Sequence, residues 1–439
     1  MKSAYDVVVI GAGAAGLAAT ARLTEAGRSV LLLDARDRIG GRVWTRHEPA
    51  LPVPVELGAE FIHGEAPATR RWIARAGHGS HDVMESHWRF INGELVRHEG
   101  FFEEVQRAFR RNRERARDDL SFADFIDVVL KDELSPLARR SACTMAEGFD
   151  AVDVTRASAH SIVDEWTNEA FIDAAQGRPD GGYSILLESI AHTVSPALSK
   201  TQLQTVVHKI TWKRGSVEIE GTAHGTPFVV IAPRVVITVP LGVLQAKPGE
   251  PGYIEFDPPL DSKADALRGL VSGPALKVTL RFRSPFWEQI NGGELRDAMF
   301  LHADDQPFRT FWTTLPIRSP MLVAWAGGPR AAELSATCDT NALTQLALQS
   351  LDGMFGKHWD VADEFEASYC HDWQNDPFSR GAYSYVGVGG GNARAELSKP
   401  VDGTLFFAGE ATDETGDAAT VTGALESGER AAREVIAAS

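Results

Sequence analysis

Tyr5 to Arg42 reads YDVVVIGAGAAGLAATARLTEAGRSVLLLDARDRIGGR, and the fold follows from two changes in its hydrophobic period. Val7 to Ile10 form an unbroken β-branched run, as expected of a parallel strand buried on both faces. Ala14 to Glu25 switch to a helical pattern, and Ser29 to Leu33 return to a strand. The unit is β-α-β. Gly11, Gly13 and Gly16 stand between first strand and helix in GxGxxG spacing. Gly11 permits the sharp turn, Gly13 lets a pyrophosphate approach the backbone, and Gly16 lets helix and strand pack closely. The N–H groups of Ala14 and Ala15 then open the helix towards the phosphates. Asp34 ends the second strand where an acid would accept hydrogen bonds from an adenosine ribose, and its charge disfavours a 2′-phosphate. A bound dinucleotide is expected; a glycine-rich turn with an exposed Asp is the plainer alternative.

Ala35-Arg36-Asp37-Arg38-Ile39-Gly40-Gly41-Arg42 follows directly. Gly40 and Gly41 suit a second close approach of backbone to phosphate, and Arg42 offers a charge-assisted contact. With this ending, the stretch resembles the FAD motif of the flavin amine oxidases, the family of monoamine oxidases, polyamine oxidases and lysine-specific histone demethylases. The resemblance implies a Rossmann-type α/β FAD-binding domain and a second, α+β substrate domain with a mixed sheet flanked by helices. It places the FAD domain at 1–80, 200–260 and 395–439, and the substrate domain at 81–199 and 261–394.

Composition agrees with such a protein. A chain of 439 residues exceeds one ordinary core, and 44% hydrophobic with 24% charged residues suits a globular protein. A formal charge of -16 argues against nucleic acid and is compatible with a cationic substrate. Cys143, Cys338 and Cys370 form no metal or redox spacing. No metal is expected. Neither the residues before Val7 nor the ending Ala437-Ala438-Ser439 carries an apolar segment, so a cytoplasmic protein without membrane attachment is expected, with a homodimer left open.

Further along, Val53 to Gly64 reads VPVELGAEFIHG. The segment is similar to the flavin-side "GA-x-W-I-H-G" element of polyamine oxidases, with Phe61 at the Trp position. By resemblance Gly58, Ala59 and Glu60 touch the cofactor and His63 faces the substrate channel; His63 also reads as an ordinary loop histidine. From Arg70 to Ser199 the pattern is mainly helical, with a hairpin turning at Asn92-Gly93. The basic run from Arg107 to Arg117 has Phe101, Val105 and Phe109 at helical spacing and acids on its flanks. It reads as a solvated helix face more readily than as a nucleic-acid surface. Gly181-Gly182-Tyr183 opens a helix, and Leu203 to Ile210 alternate as a strand on which, by resemblance, the Val207 backbone meets adenine. Val235 to Leu244 is a buried strand and turn containing Pro240, similar to the family's "VI-x-T-V-P-L-G-V-L".

Ser272 to Phe282 alternates with Lys277, Thr279 and Arg281 on one face and Leu276, Val278 and Leu280 on the other. A strand lysine ordinarily points to water. The match to the family's G-x-x-x-K-V element implies instead that Lys277 holds a water against flavin N5. Asn341 to Phe355 reads as an amphipathic helix. Arg380 to Tyr385 resembles the "R-G-x-Y-S-Y" of polyamine oxidases and histone demethylases, which implies that Trp373 and Tyr383 border the substrate. Monoamine oxidases carry a flavin-bonding Cys where Ala382 stands, so the FAD is expected to be non-covalent. Gly403 to Gly428 matches "F-A-G-E … G-A-x-x-S-G". Gly409, Glu410, Thr420 and Val421 then close the cofactor site, with a helix dipole aimed at the flavin. Ala419-Thr420 replaces the second cage tyrosine of monoamine oxidases, and the acids of Asp413 to Asp417 read as ammonium partners or as solvated loop residues.

The resemblance implies an FAD-dependent oxidase of a polyamine or secondary amine: hydride passes from the amine's α-carbon to N5, the imine hydrolyses, and O2 becomes H2O2. An L-amino-acid or monoamine oxidase of the same fold, a chromatin-directed demethylase, a nicotinamide reductase and a non-catalytic flavin-binding protein are the alternatives.

Overall fold

The computed structural model describes residues 5–83, 86–91, 93–97, 101–168 and 175–438. Its first layer is a five-stranded, all-parallel sheet in the order Leu405–Phe407, Arg234–Ile237, Val7–Ile10, Val30–Leu33, Ser199–Gln202. The period-2 geometry of a strand divides the apolar run between two cores. Val7, Val9, Val30 and Leu32 face a helical layer; Val8, Ile10, Leu31 and Leu33 face the opposite side. There a four-stranded mixed sheet that includes Thr205–Lys213 supplies Ile210, Val217 and Ile219. Both faces are covered, which is why the strands need no polar alternation.

The helical layer consists of Ala14–Glu25, Tyr183–Thr193 and the closing helix Val421–Ala437. Glycine sets its tight crossings. A Cβ on Gly16 would lie 1.8 Å from the Gly11 carbonyl oxygen, and one on Gly428 would lie 2.2 Å from that of Ala15. Tyr183, Leu186, Leu187 and Ile190 belong to this core. Residues 183–199 therefore pack with the dinucleotide unit, not with the second domain to which 81–199 were assigned, because the helix hides its apolar face against Ala14–Glu25.

The second sheet has seven strands in the order Phe365–Cys370, Ala275–Phe282, Met321–Gly327, Thr310–Trp312, Phe300–His302, His87–Ile91, Glu94–Arg97, and it is mixed: His87–Ile91 runs parallel to Phe300–His302. Leu276, Val278 and Leu280 face a core closed by the helices Gly328–Thr337 and Thr340–Phe355. Lys277 is opposite Trp325 on the other face and is buried as well. The expected hairpin strands pair from Trp88↔Arg97 to Ile91↔Glu94, while Asn92 lies outside the described residues. A third, helical core gathers Val105, Phe109, Phe122, Phe125 and Trp166. On its surface Arg107, Arg111, Arg113 and Arg117 pair with Glu103, Glu133, Asp164 and Glu114, which is the solvated face expected. Phe101's side chain lies outside the description. Among the described residues, no helix is long and apolar enough to cross a membrane.

Candidate active site

Both sheets border one cavity of about 1370 Å³. Its first half is the dinucleotide cradle. Gly11 has φ +104, and a Cβ there would meet the Thr238 hydroxyl oxygen at 2.5 Å. That hydroxyl donates to the Ile10 and Gly11 carbonyls at 2.8 and 3.1 Å, clasping the turn. Gly40 (φ +107) and Gly41 (φ +59) lie alongside Gly13, and the Gly40 N–H donates to the Ala12 carbonyl at 2.8 Å. Two glycine turns thus form one continuous backbone surface with the first turn of Ala14–Glu25. Asp34 accepts from the Ala12 and Arg36 N–H groups at 2.7 and 2.8 Å. Burial raises its pKa against those two bonds. Ala14, Ala15, Ala35, Val207, Pro240, Gly409 and Val421 also line the cavity. Gly16 does not; its part is the helix crossing described above.

Arg36 and Arg42, both expected at the cofactor, border the cavity and are also held by protein groups. Arg36 donates to Asp376 (2.7 Å) and Ser379 (2.9 Å), and Arg42 donates to the Ala382 carbonyl (2.7 Å) and Glu410 (3.0 Å). Arg42 thereby ties the glycine loop to the end of the chain while still bordering the cavity. Glu410 also accepts from the Ser384 hydroxyl at 2.6 Å. Burial pushes its carboxyl up, but Arg42, Arg394 and Ser384 more than offset this and keep it ionised. Arg38, which drew no notice in the sequence, holds the glycine loop by donating to the carbonyls of Ile39, Gly41 and Val43.

The second half of the cavity is reached past Lys277. Its ammonium lies 2.5 Å from Glu60 Oε2 and 3.3 Å from the Gly58 carbonyl. Glu60 Oε1 accepts from Arg178 and, at 3.1 Å, from the Trp312 indole. Trp373 donates its indole N–H to the Leu57 carbonyl at 2.8 Å, so the 57–60 turn is pinned from two sides. Tyr383 donates to the Phe149 carbonyl at 2.6 Å, and burial raises its phenol well above its ordinary value. His63 stands edge-on to Phe149 with ring centroids 5.4 Å apart, and burial lowers its pKa to about 4, so a neutral imidazole borders the cavity.

Thr420, expected at the cofactor and among the reacting groups, borders the cavity and also caps its helix. Its hydroxyl accepts from the Gly423 N–H at 3.1 Å and donates to the Asp417 carbonyl at 2.6 Å. Asp413 is not a solvated acid: it is buried at the cavity wall, and its Oδ2 accepts from the N–H groups of Thr415, Gly416 and Asp417. Conversely, Asp150 and Glu165 went unnoticed, since an acid in a helical stretch reads as solvated. Both line the cavity beyond Tyr383. Burial pushes the Asp150 carboxyl up and the charge of Glu165 raises it further; Glu165, exposed towards the cavity but surrounded by protein, is raised to about 7 against the opposing charge of Arg394.

A dinucleotide cradle opening past a buried lysine into an aromatic chamber is the layout of a flavin-dependent oxidoreductase. Residues 14–436 match the family described as flavin containing amine oxidoreductase, and the chain belongs to that family. Among relatives, polyamine oxidase 3 of Oryza sativa subsp. japonica is 30% identical over 465 residues, covering 98% of this chain and 88% of that one. Lysine-specific histone demethylase 2 of Homo sapiens is 28% identical over 460 residues, covering 98% of this chain but 53% of its own. In fold, the chain is similar to a wild-type putrescine oxidase bound to putrescine, with TM-score 0.78 at 22% identity over 99% of both chains. It is also similar to cyclohexylamine oxidase from Brevibacterium oxydans IH-35A, with TM-score 0.78 at 19% identity over 98% of both.

Proposed function

We propose that the chain binds FAD without a covalent bond and oxidises a polyamine or another secondary amine. One observation supports the substrate class: the cavity lined by the cradle glycines is lined also by two interacting acids, the buried Asp150 and Glu165, which is exposed towards it. Two such carboxylates resist ionising together, and an ammonium set beside them is the counter-charge that relieves both. A multiply aminated chain meets this need with one nitrogen while another reacts. The relatives named as polyamine oxidases support the same choice.

Bound in the cradle, FAD supplies a two-electron acceptor for hydride from the amine's α-carbon, with O2 as final oxidant and H2O2, aldehyde and a smaller amine or ammonia as products. The protein's residues orient and exclude. The Ala14–Glu25 and Val421–Ala437 helix starts present N–H groups to negative charge. Neutral His63 and the Tyr383 ring border the substrate without competing for its proton. Ala382 offers no nucleophile to a flavin. Cysteine usage supports the cytoplasm as location, and the ion-paired basic helix supports a function without nucleic acid.

Anaerobic mixing of the yellow protein with spermidine, putrescine and a small aromatic monoamine tests the proposal. Rapid bleaching by the first two, and FAD in the supernatant after denaturation, are expected. A flavin that no amine bleaches rules the activity out, and a flavin that stays with the denatured chain rules out the non-covalent site.

A further inference from the structure

Glu60, expected only to touch the cofactor, is bound instead to Lys277 and is fully paired. Glu60 receives four donors on two oxygens: Lys277 Nζ on one, and Arg178 Nε (2.9 Å), Arg178 Nη2 (2.8 Å) and the Trp312 indole on the other. Arg178 is fixed in turn, donating to the carbonyls of Leu315 (2.7 Å) and Thr313 (3.0 Å) with its guanidinium 4.5 Å from the Phe61 ring centroid. The turn that carries Glu60 is locked to the phosphate cradle, because a Cβ on Gly58 would lie 1.9 Å from the Arg42 carbonyl oxygen. Glu60 therefore transmits the placement of the glycine loop to the lysine. A cluster of two cations and one anion, with each side chain at most 10% exposed, is a poor device for stability alone, since apolar side chains of similar volume serve that end as well.

We infer that Glu60, braced by Arg178 and Trp312, is a positioning residue that fixes both the place and the charge of the Lys277 ammonium where it faces the flavin. The inference rests on the flavin reading of the cavity, but the pairing itself is a property of the bare protein. Without Glu60, Lys277 would be a buried cation beside Arg178, and burial together with like charge drives a lysine towards its neutral form. The other groups facing this cluster are few. Glu56, on Val55–Glu56, is raised to about 7 by burial against its bond from the Tyr183 N–H, the charge of Lys277 and the Thr45 hydroxyl, so it is a second, weaker acid facing the lysine; Trp312 and Trp325 are uncharged; His63 is neutral above about pH 4.

The test compares wild type, E60Q, K277M and E60Q/K277M. In E60Q the potential of the bound flavin, plotted against pH, gains a break between about pH 6 and 9. Wild type and E60Q/K277M lack this added break and share only what Glu56, raised to about 7, contributes to both. Without cofactor, the melting temperature of E60Q climbs relative to wild type across the same window, because the unfolded lysine binds a proton that the folded one has lost. That climb disappears in E60Q/K277M. An E60Q that matches wild type in both measurements overturns the inference, as does an added break that persists in the double variant, which would belong to Glu56. If E60Q does not fold, E60Q/K277M restores folding by removing the stranded ammonium; failure to do so means that Glu60 serves Arg178 alone, and overturns it as well. Should no amine reduce the flavin in any of the four proteins while the cofactor-free melts behave as stated, the amine oxidase reading falls and the pairing stands.

Discussion

Lys277 and His63 show how far a side chain's chemistry depends on what surrounds it. The lysine was legible in sequence because it stands on an alternating strand at the position where the family pattern has one; the alternation alone reads it as solvated. Replacing it in K277M, with Glu60 still held by Arg178, is expected to slow anaerobic flavin reduction roughly a hundredfold while FAD remains bound, as stopped-flow absorbance would show. Retained reduction would remove Lys277 from the reaction. His63 was legible only as a candidate, since a loop imidazole can be wet or buried. The fold buries it and lowers its pKa to about 4. Between there and the ordinary value of 6.5 the unfolded chain binds a proton that the folded one refuses, so this contribution to stability is full above pH 6.5 and is lost as pH falls towards 4. The difference is on the order of 3 kcal/mol. Denaturation midpoints at pH 7.5 and 4.5 should therefore lie closer together in H63F than in wild type. Glu60 and Arg178 were not legible as a pair, because 118 positions separate them and nothing local couples their charges.

Among elements, the first helix and the closing helix bring free N–H groups to the cavity, and each depends on a small residue or a cap that the sequence displays. Gly16→Ala would press a methyl group into the Gly11 carbonyl and is expected to cost about 2 to 3 kcal/mol, with loss of FAD on gel filtration. A fully flavinated, unshifted Gly16→Ala protein would refute the tight crossing. Thr420→Ala removes the cap on Gly423 and is expected to cost about 1 kcal/mol, most of which Thr420→Ser should restore. An equal loss of catalysis in both variants, with stability unchanged, would return Thr420 to the reacting groups. The β-α-β unit was legible because its strands are apolar on both faces and its turn residues are glycines. The 413–417 loop was not, since an Asp that caps three N–H groups looks the same in sequence as one that meets water.

Over the whole molecule, a charge of -16 and an acid pair lining the cavity act in the same direction on a cationic substrate. The kcat/KM for spermidine is expected to fall several-fold between about 20 and 300 mM salt, and less for a monoamine, as Debye screening shortens the reach of the protein's field. D150N should raise KM for di- and polyamines more than for monoamines; equal effects would separate the acid pair from substrate choice. The sequence by itself determined the parallel dinucleotide sheet, the strand that carries Lys277 and the closing helix, because period, glycine turns and caps act over a few residues. Only the tertiary structure decided that residues 183–199 join the first core, that Thr420 and Asp413 hold backbone, that Glu60, Asp150 and Glu165 lie along one cavity, and that Arg178 stands behind Glu60. Those outcomes depend on burial and on charges brought together across the chain, and neither quantity exists until the two sheets have closed on each other.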